Sequence, residues 1–199
     1  MVTGRGARRR RVGNGTDYSA VGGPTGLRHA PSVARRATIL TALIAGVVAI
    51  AVGGVLANRG NVDGWYANAE KVAWNPPNWV FAPAWTTLYV MIVIVGYWIW
   101  RQGFRGVGLV NANRAQLRCY LVQLILNGLW SPVFFAGYPL IGKSAWWLGL
   151  GVIVALAIVV IRLILLTRST SRLTSWLLVP YLAWLLYATS LNLGIIVLN

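Results

Sequence analysis

The sequence predicts an all-α integral membrane protein, a five-transmembrane-helix bundle behind a disordered basic N-terminal tail. Three observations carry that prediction. Of 199 residues, 57% are hydrophobic and 11% charged, and only Asp17, Asp63 and Glu70 are acidic against 18 Lys and Arg. The charges fall between five long apolar stretches, as they do between membrane-spanning helices. Fifteen basic residues lie at one end of those stretches and three at the other, which sets an orientation by the positive-inside rule. A basic excess can also mark a nucleic-acid surface, but these cations are dispersed between apolar spans, so no nucleic-acid partner is expected.

Residues 1–36 hold eight arginines, including Arg8 to Arg11, among Gly, Ser, Thr and Pro. With almost nothing apolar to bury, this segment is expected to be a disordered cytoplasmic tail that attracts anionic lipid. A twin-arginine export signal would adjoin its apolar segment, whereas here more than twenty residues intervene. The tail also lacks the amphipathic apolar face of a transit peptide.

The first span is expected at residues 37–57. Val55-Leu56-Ala57 imitates a signal-peptidase site, but the apolar run is too long for a signal peptide and four spans follow, so it is read as retained. Ala45, Ala49, Gly53 and Ala57 recur every four residues on one face, allowing close backbone approach. Packing within the chain is the expected use, ahead of a dimer seam.

The loop from Asn58 to Asn78 is long and carries Trp65, Tyr66 and Trp74 beside Arg59, Asp63, Glu70 and Lys71. Its aromatics suggest a lid, the other reading being that Trp65 and Trp74 rest in the lipid interface. It closes on Asn75-Pro76-Pro77-Asn78, through which no helix runs, because proline fixes φ and pushes the preceding residue towards extended geometry. The second span follows at 79–100. Trp79 to Trp100 has no charge, and its length of roughly 33 Å is enough to cross a bilayer core.

A basic loop from Arg101 to Arg118 leads to the third span at 117–135. Gln123, Asn127 and Ser131, spaced by four with Trp130 close by, form a polar stripe that should face the bundle interior. There it either ties neighbouring helices or lines a cavity, structural bonding being slightly favoured. Tyr138 to Lys143 reads as a tight turn. The fourth span, 144–166, opens with Trp146-Trp147 at an interface, and Arg162 snorkels from its far end.

The fifth span, 173–198, puts Tyr181, Trp184, Ala188 and Leu191 on one face, an aromatic surface with one small gap. Pro180 frees a backbone carbonyl there and is expected to kink the helix. The charge count predicts the N-terminus inside, the long loop outside and the C-terminus outside. The single Cys119 rules out an intramolecular disulfide.

Three motifs in order resemble one known family. They are Trp65-Tyr66 with Trp74-x-Pro76-Pro77-x-Trp79-x-Phe81-x-Pro83-x-Trp85-x-x-Leu88-Tyr89; Gln123-x-x-x-Asn127-x-x-Trp130-Ser131-x-x-Phe134-Phe135; and Pro180-Tyr181-x-x-Trp184-x-x-Tyr187-Ala188-x-x-Leu191-Asn192. Across roughly residues 40–199 the chain is similar to the tryptophan-rich sensory proteins, the TspO/MBR family, related to the mitochondrial translocator protein or peripheral benzodiazepine receptor.

The resemblance implies a five-helix bundle, often a homodimer, with a pocket under the first loop for porphyrins, sterols or drug-like ligands. It implies that Trp85, Ser131 and Trp184 contact the ligand and that Trp65 is a lid tryptophan implicated in porphyrin breakdown. The candidate ligand-binding residues drawn from the motifs are Trp65, Tyr66, Trp85, Tyr89, Asn127, Ser131, Tyr181, Trp184 and Ala188. Ser131 stands where the family often has Asn, and Ala67 where acids also occur, so no acid role is carried over to that position.

The residue inventory narrows the chemistry independently. No Asp or Glu lies in a span, which argues against a carboxylate proton relay. The one histidine, His29, lies in the tail, so haem held by an intramembrane histidine is excluded and a metal-free porphyrin suits the residues better. Ser131 has no base beside it, which argues against hydrolysis. No metal site or resident cofactor is expected.

What remains is an aromatic pocket for a large flat apolar molecule, with indoles to stack on it. Arg59, Lys71 and Lys143 suit either the propionates of such a ligand or lipid headgroups. Two functions fit: a receptor or sensor of protoporphyrin IX or similar ligands, with transport as a further role, or light-dependent oxidative degradation of the porphyrin with electrons from Trp65 and the neighbouring lid and pocket tryptophans. The expected setting is a bacterial inner or plasma membrane, with membrane lipid and a hydrophobic small molecule, porphyrin or sterol-like, as partners.

Overall fold

The computed structural model describes residues 31–104 and 111–199. Five helical spans there are long and apolar enough to cross a membrane: Val33–Asn58, Asn78–Gln102, Arg114–Ala136, Ser144–Arg168 and Arg172–Leu198. The helices are α1 (Val33–Asn58), α2 (Trp65–Asn68), α3 (Phe81–Gln102), α4 (Arg114–Ser131), α5 (Tyr138–Ile141), α6 (Ser144–Arg168) and α7 (Arg172–Leu198). The expected all-α membrane bundle is what forms.

α1 starts earlier than the sequence suggests, inside the segment read as tail. The Ser32 hydroxyl accepts the Arg35 amide at 3.3 Å, a side-chain cap that nucleates the helix ahead of the arginine pair. Residues 1–30 and 105–110, and with them most of the predicted tail and part of the basic loop, lie outside the described residues. At the other end the Arg59 amide returns to Val55 and Leu56, and Gly60, at φ +70°, takes the left-handed step that turns the chain into the loop.

Pro76 and Pro77 do stop a helix, and the chain re-enters through a 3₁₀ turn at Asn78–Val80. Pro83 sits in the first turn of α3, where a missing N–H costs little. The far end of α3 is capped across the basic loop. Asn111 Nδ2 donates to Trp100 O at 2.8 Å and Asn113 Nδ2 to Ile99 O at 2.9 Å.

Pro132 ends α4 and opens a π turn, Pro132–Ala136, closed by the Gly137 amide on Pro132 O at 2.9 Å. The wider turn lets the consecutive residues Phe134 and Phe135 both bury. The predicted turn after it contains the one-turn helix α5, and Gly142, at φ +60°, makes the reversal into α6. α7 runs unbroken through Pro180.

α6 is the central post, packed along both α4 and α7, with α3 and α1 closing the other side. The main core joins Ile92 and Val95 of α3, Tyr120 of α4, Val160 and Leu163 of α6 and Leu185 of α7. α3 and α4 approach closely at Gly96, where a Cβ would stand 2.4 Å from the Tyr120 ring, while Tyr120 Oη donates to Ile92 O at 3.1 Å.

α1 is the lightly held helix, with Val47 its only buried residue. The small-residue stripe does not serve packing within the chain: Ala45 and Ala49 are exposed, and a Cβ on Gly53 would meet nothing. Ile50 and Gly54, one step round the helix, face Gly128 and Ser131 of α4 instead. The indole pair at the start of α6 also splits, because Trp147 is exposed whereas Trp146 is buried under the first loop's aromatics.

A candidate ligand cavity beneath the first loop

The loop folds down over the end of the bundle because its aromatics have somewhere apolar to go. Trp65, at the start of α2, lies 4.4 Å from the Tyr138 ring and 5.6 Å from Trp146, and its Nε1 donates to Phe135 O at 3.2 Å. Tyr66 is buried edge-on to Phe135 at 5.4 Å, and its hydroxyl donates to Asn75 Oδ1 at 3.3 Å. Burial, with Tyr187 nearby, pushes the Tyr66 phenol above its ordinary range, so it stays a neutral donor.

α7 pins the loop from the opposite side. Tyr187 Oη donates to Trp74 O at 2.7 Å, and Trp74 Nε1 donates to Ser190 Oγ at 3.2 Å. Trp65 is thus packed in protein, whereas the Trp74 ring is largely exposed, as an interfacial indole would be. Of Arg59, Lys71 and Lys143, two are engaged locally: Lys71 Nζ donates to Ala67 O and Ala69 O beside the Tyr66 ring, and Lys143 Nζ bonds Asn199 O.

Under this loop lies a cavity of about 400 Å³, a volume typical of small-molecule sites. α1 contributes Gly54 and Asn58, α3 Phe81 and Trp85, α4 Asn127 and Ser131, α7 Ala188 and Asn192, and the π turn Phe134 and Phe135. Its wall is mostly apolar and aromatic, with a few amides and hydroxyls.

Of the nine candidate residues, six line this cavity: Tyr66, Trp85, Tyr89, Asn127, Ser131 and Ala188. Trp65, Tyr181 and Trp184 are not among the lining residues. Trp65 packs on Tyr66, Phe134 and Phe135. Trp184 packs edge-on against Trp85 at 6.3 Å and Phe81 at 5.9 Å, buttressing the wall. Tyr181 is fully buried; its hydroxyl accepts from Asn127 Nδ2 at 2.8 Å and donates to Gln123 Oε1 at 3.1 Å.

The polar stripe of α4 therefore does both jobs open to it. Gln123 and Asn127 tie α4 to α7 through Tyr181, and Ser131 Oγ donates to Asn58 Oδ1 at 2.7 Å, tying α4 to α1 at the cavity rim. Asn127 Oδ1 and Trp130 Nε1 are buried without a hydrogen-bond partner among the described residues, one acceptor and one donor on residues of the same wall. Asn192, also on the wall, donates from Nδ2 to Trp146 O at 3.1 Å, and its Oδ1, beside Gly149, is a second buried acceptor without a partner among the described residues.

Sequence reasoning passed over Asn58, Asn78, Phe81 and Thr86, which also line the cavity. Asn58 lies four residues after Gly54 on the α1 face that meets Ser131, a spacing that sequence could have offered.

The sequence pattern of the TspO/MBR family matches residues 39–198. The tryptophan-rich protein TspO of Archaeoglobus fulgidus is 42% identical over 160 residues, spanning 80% of this chain and 96% of its own. The translocator protein of Sus scrofa is 38% identical over 150 residues, 70% of this chain and 79% of its own. The tryptophan-rich sensory protein of Cereibacter sphaeroides is 35% identical over 143 residues, 69% and 78% respectively.

Proposed function

This chain belongs to the TspO/MBR family of integral membrane proteins, and from that membership and the cavity we propose that it is a receptor or sensor for tetrapyrroles such as protoporphyrin IX. Transport of the same ligands falls within this reading, since a relative bears the name translocator protein, and the apolar wall of the cavity also suits sterol-like lipids. The observation that carries it is the convergence of six motif residues on one aromatic-walled cavity beneath a folded loop. Trp85 and Phe81 on the cavity wall offer flat faces to a macrocycle.

The position of Trp65 favours the receptor over oxidative degradation. Its indole packs on Tyr66, Phe134 and Phe135 and is not among the cavity-lining residues, so it offers a bound porphyrin no stacking face. Lys71 and Lys143, already bonded to the loop and to α7, are less suited to propionates than the exposed Arg59.

The charge distribution supports an N-terminus inside and a C-terminus outside a bacterial cell membrane. The outward small-residue stripe of α1 offers a seam for a homodimer. The deciding experiment is a dark titration of protoporphyrin IX with the full-length protein in detergent. A saturable Soret shift is expected; no shift would set tetrapyrroles aside and turn the search to sterols.

A further inference from the structure

A second recess lies at the opposite end of the bundle from the loop, between the end of α6 and the start of α7, with a volume of about 430 Å³. We propose that it seats one anionic phospholipid, the phosphate on Arg168 and Arg172 and the upper acyl chain along Ile164 and Val179.

Both arginines are exposed on the groove's edge. The acids of the described residues, Asp63 and Glu70, sit in the loop at the far end, so neither neutralises this pair. Guanidinium groups present paired N–H donors that match phosphate oxygens. The start of α7 adds to their field: Ser171 accepts the Thr174 amide at 3.3 Å, leaving the amides before it at the positive end of a 27-residue helix.

The floor makes no competing demand. Ser175, buried in the groove, shares a hydrogen bond with Thr167 Oγ1 at 3.0 Å and lies 3.3 Å from Ile164 O, so its polar capacity is spent stapling α7 to α6. Trp176, 70% exposed, stands beside it on the lipid-facing side. Along α7 the order is thus charge at Arg172, indole at Trp176 and apolar at Val179, spread over roughly 10 Å of helix rise. A phospholipid presents the same order of phosphate, ester region and chain. Free phosphate would use only the arginines, and a zwitterionic lipid would bring its own cation against them.

The test is native mass spectrometry of the full-length protein released from micelles containing equal amounts of phosphatidylglycerol and phosphatidylcholine. One phosphatidylglycerol should be retained preferentially, and R168Q/R172Q should lower its retention by about tenfold or more. R118Q/R162Q removes the same charge from exposed sites outside the groove and should leave retention within about twofold. Trp176→Ala should weaken retention while keeping the charge. Equal retention of the two lipids, equal loss in both double variants, or displacement by inorganic phosphate alone would each overturn the proposal. All four arginines are exposed, and unchanged melting of the variants confirms that folding is not what is being read.

Discussion

Asn199 holds Glu70 by both ends of its side-chain amide, accepting the Glu70 backbone N–H at 2.9 Å and donating to its carbonyl at 3.0 Å. A side chain thereby does for the loop what a neighbouring strand would do. Together with Tyr187 on Trp74 O, it couples the loop to the helix whose Ala188 and Leu191 line the cavity.

Removing that clamp should loosen the loop without unfolding the bundle. Asn199→Ala deletes both hydrogen bonds to Glu70, worth together about 1–3 kcal/mol, to a partner that water can solvate, along with the Nδ2 bond to Ile195 O within the last turn of α7. Amide exchange of Glu70 and its neighbours should quicken, while α6 and α7 keep their protection. Hydrogen–deuterium exchange resolves the two, and unchanged exchange at Glu70 would count against the clamp.

The Tyr181 hydroxyl bridges two amides inside the bundle, so its loss is costlier than its size suggests. Tyr181→Phe keeps the ring but strips partners from Gln123 and Asn127, both buried. About 1–2 kcal/mol should be lost, the upper range for polar contacts between membrane helices. A lowered melting temperature in detergent is the readout, with Gln123→Leu/Tyr181→Phe expected to recover part of it because fewer orphaned groups remain.

The spans were legible in the sequence because charge-free length is nearly sufficient to define a membrane helix. So was the inward direction of Gln123 and Asn127, since hydrocarbon tolerates no unsatisfied amide. Other features depend on tertiary geometry that spacing does not encode. The four-residue small stripe of α1 reads as a packing face, yet α1 turns Ile50 and Gly54 inward instead. Trp65 and Tyr66 are adjacent in sequence, yet only Tyr66 lines the cavity, because α2 turns Trp65 towards Tyr138. Trp184 shares the Tyr181–Ala188 face, but Phe81 and Trp85 stand between it and the cavity.

Gly96 should tolerate no side chain. A Cβ there would lie 2.4 Å from the Tyr120 ring, which is itself fixed by its bond to Ile92 O, so Gly96→Ala must push α3 and α4 apart at about 1–3 kcal/mol. Gly46→Ala, where a Cβ meets nothing, gains helix propensity instead and should be neutral or slightly stabilising. Thermal melts of the pair check this; equal effects would mean that the close approach is not as tight as described.

Trp85 and Trp65 should behave differently towards a porphyrin. Trp85 lines the cavity and stacks near Tyr89 at 5.4 Å, so Trp85→Ala removes a face the ligand rests on and should weaken dark binding of protoporphyrin IX about tenfold. Trp65 reaches the cavity only through its neighbours Tyr66, Phe134 and Phe135, and Trp65→Phe keeps an aromatic ring in the cluster while losing one hydrogen bond to Phe135 O. Its dark affinity should stay within about threefold of the wild type, the worth of a loosened loop contact. Under illumination the receptor reading requires that wild type and Trp65→Phe bleach the porphyrin at the rate of a protein-free control. Faster bleaching by the wild type, abolished in Trp65→Phe at unchanged dark affinity, would show electrons passing from Trp65 through those neighbours and would make the degradative reading the correct one.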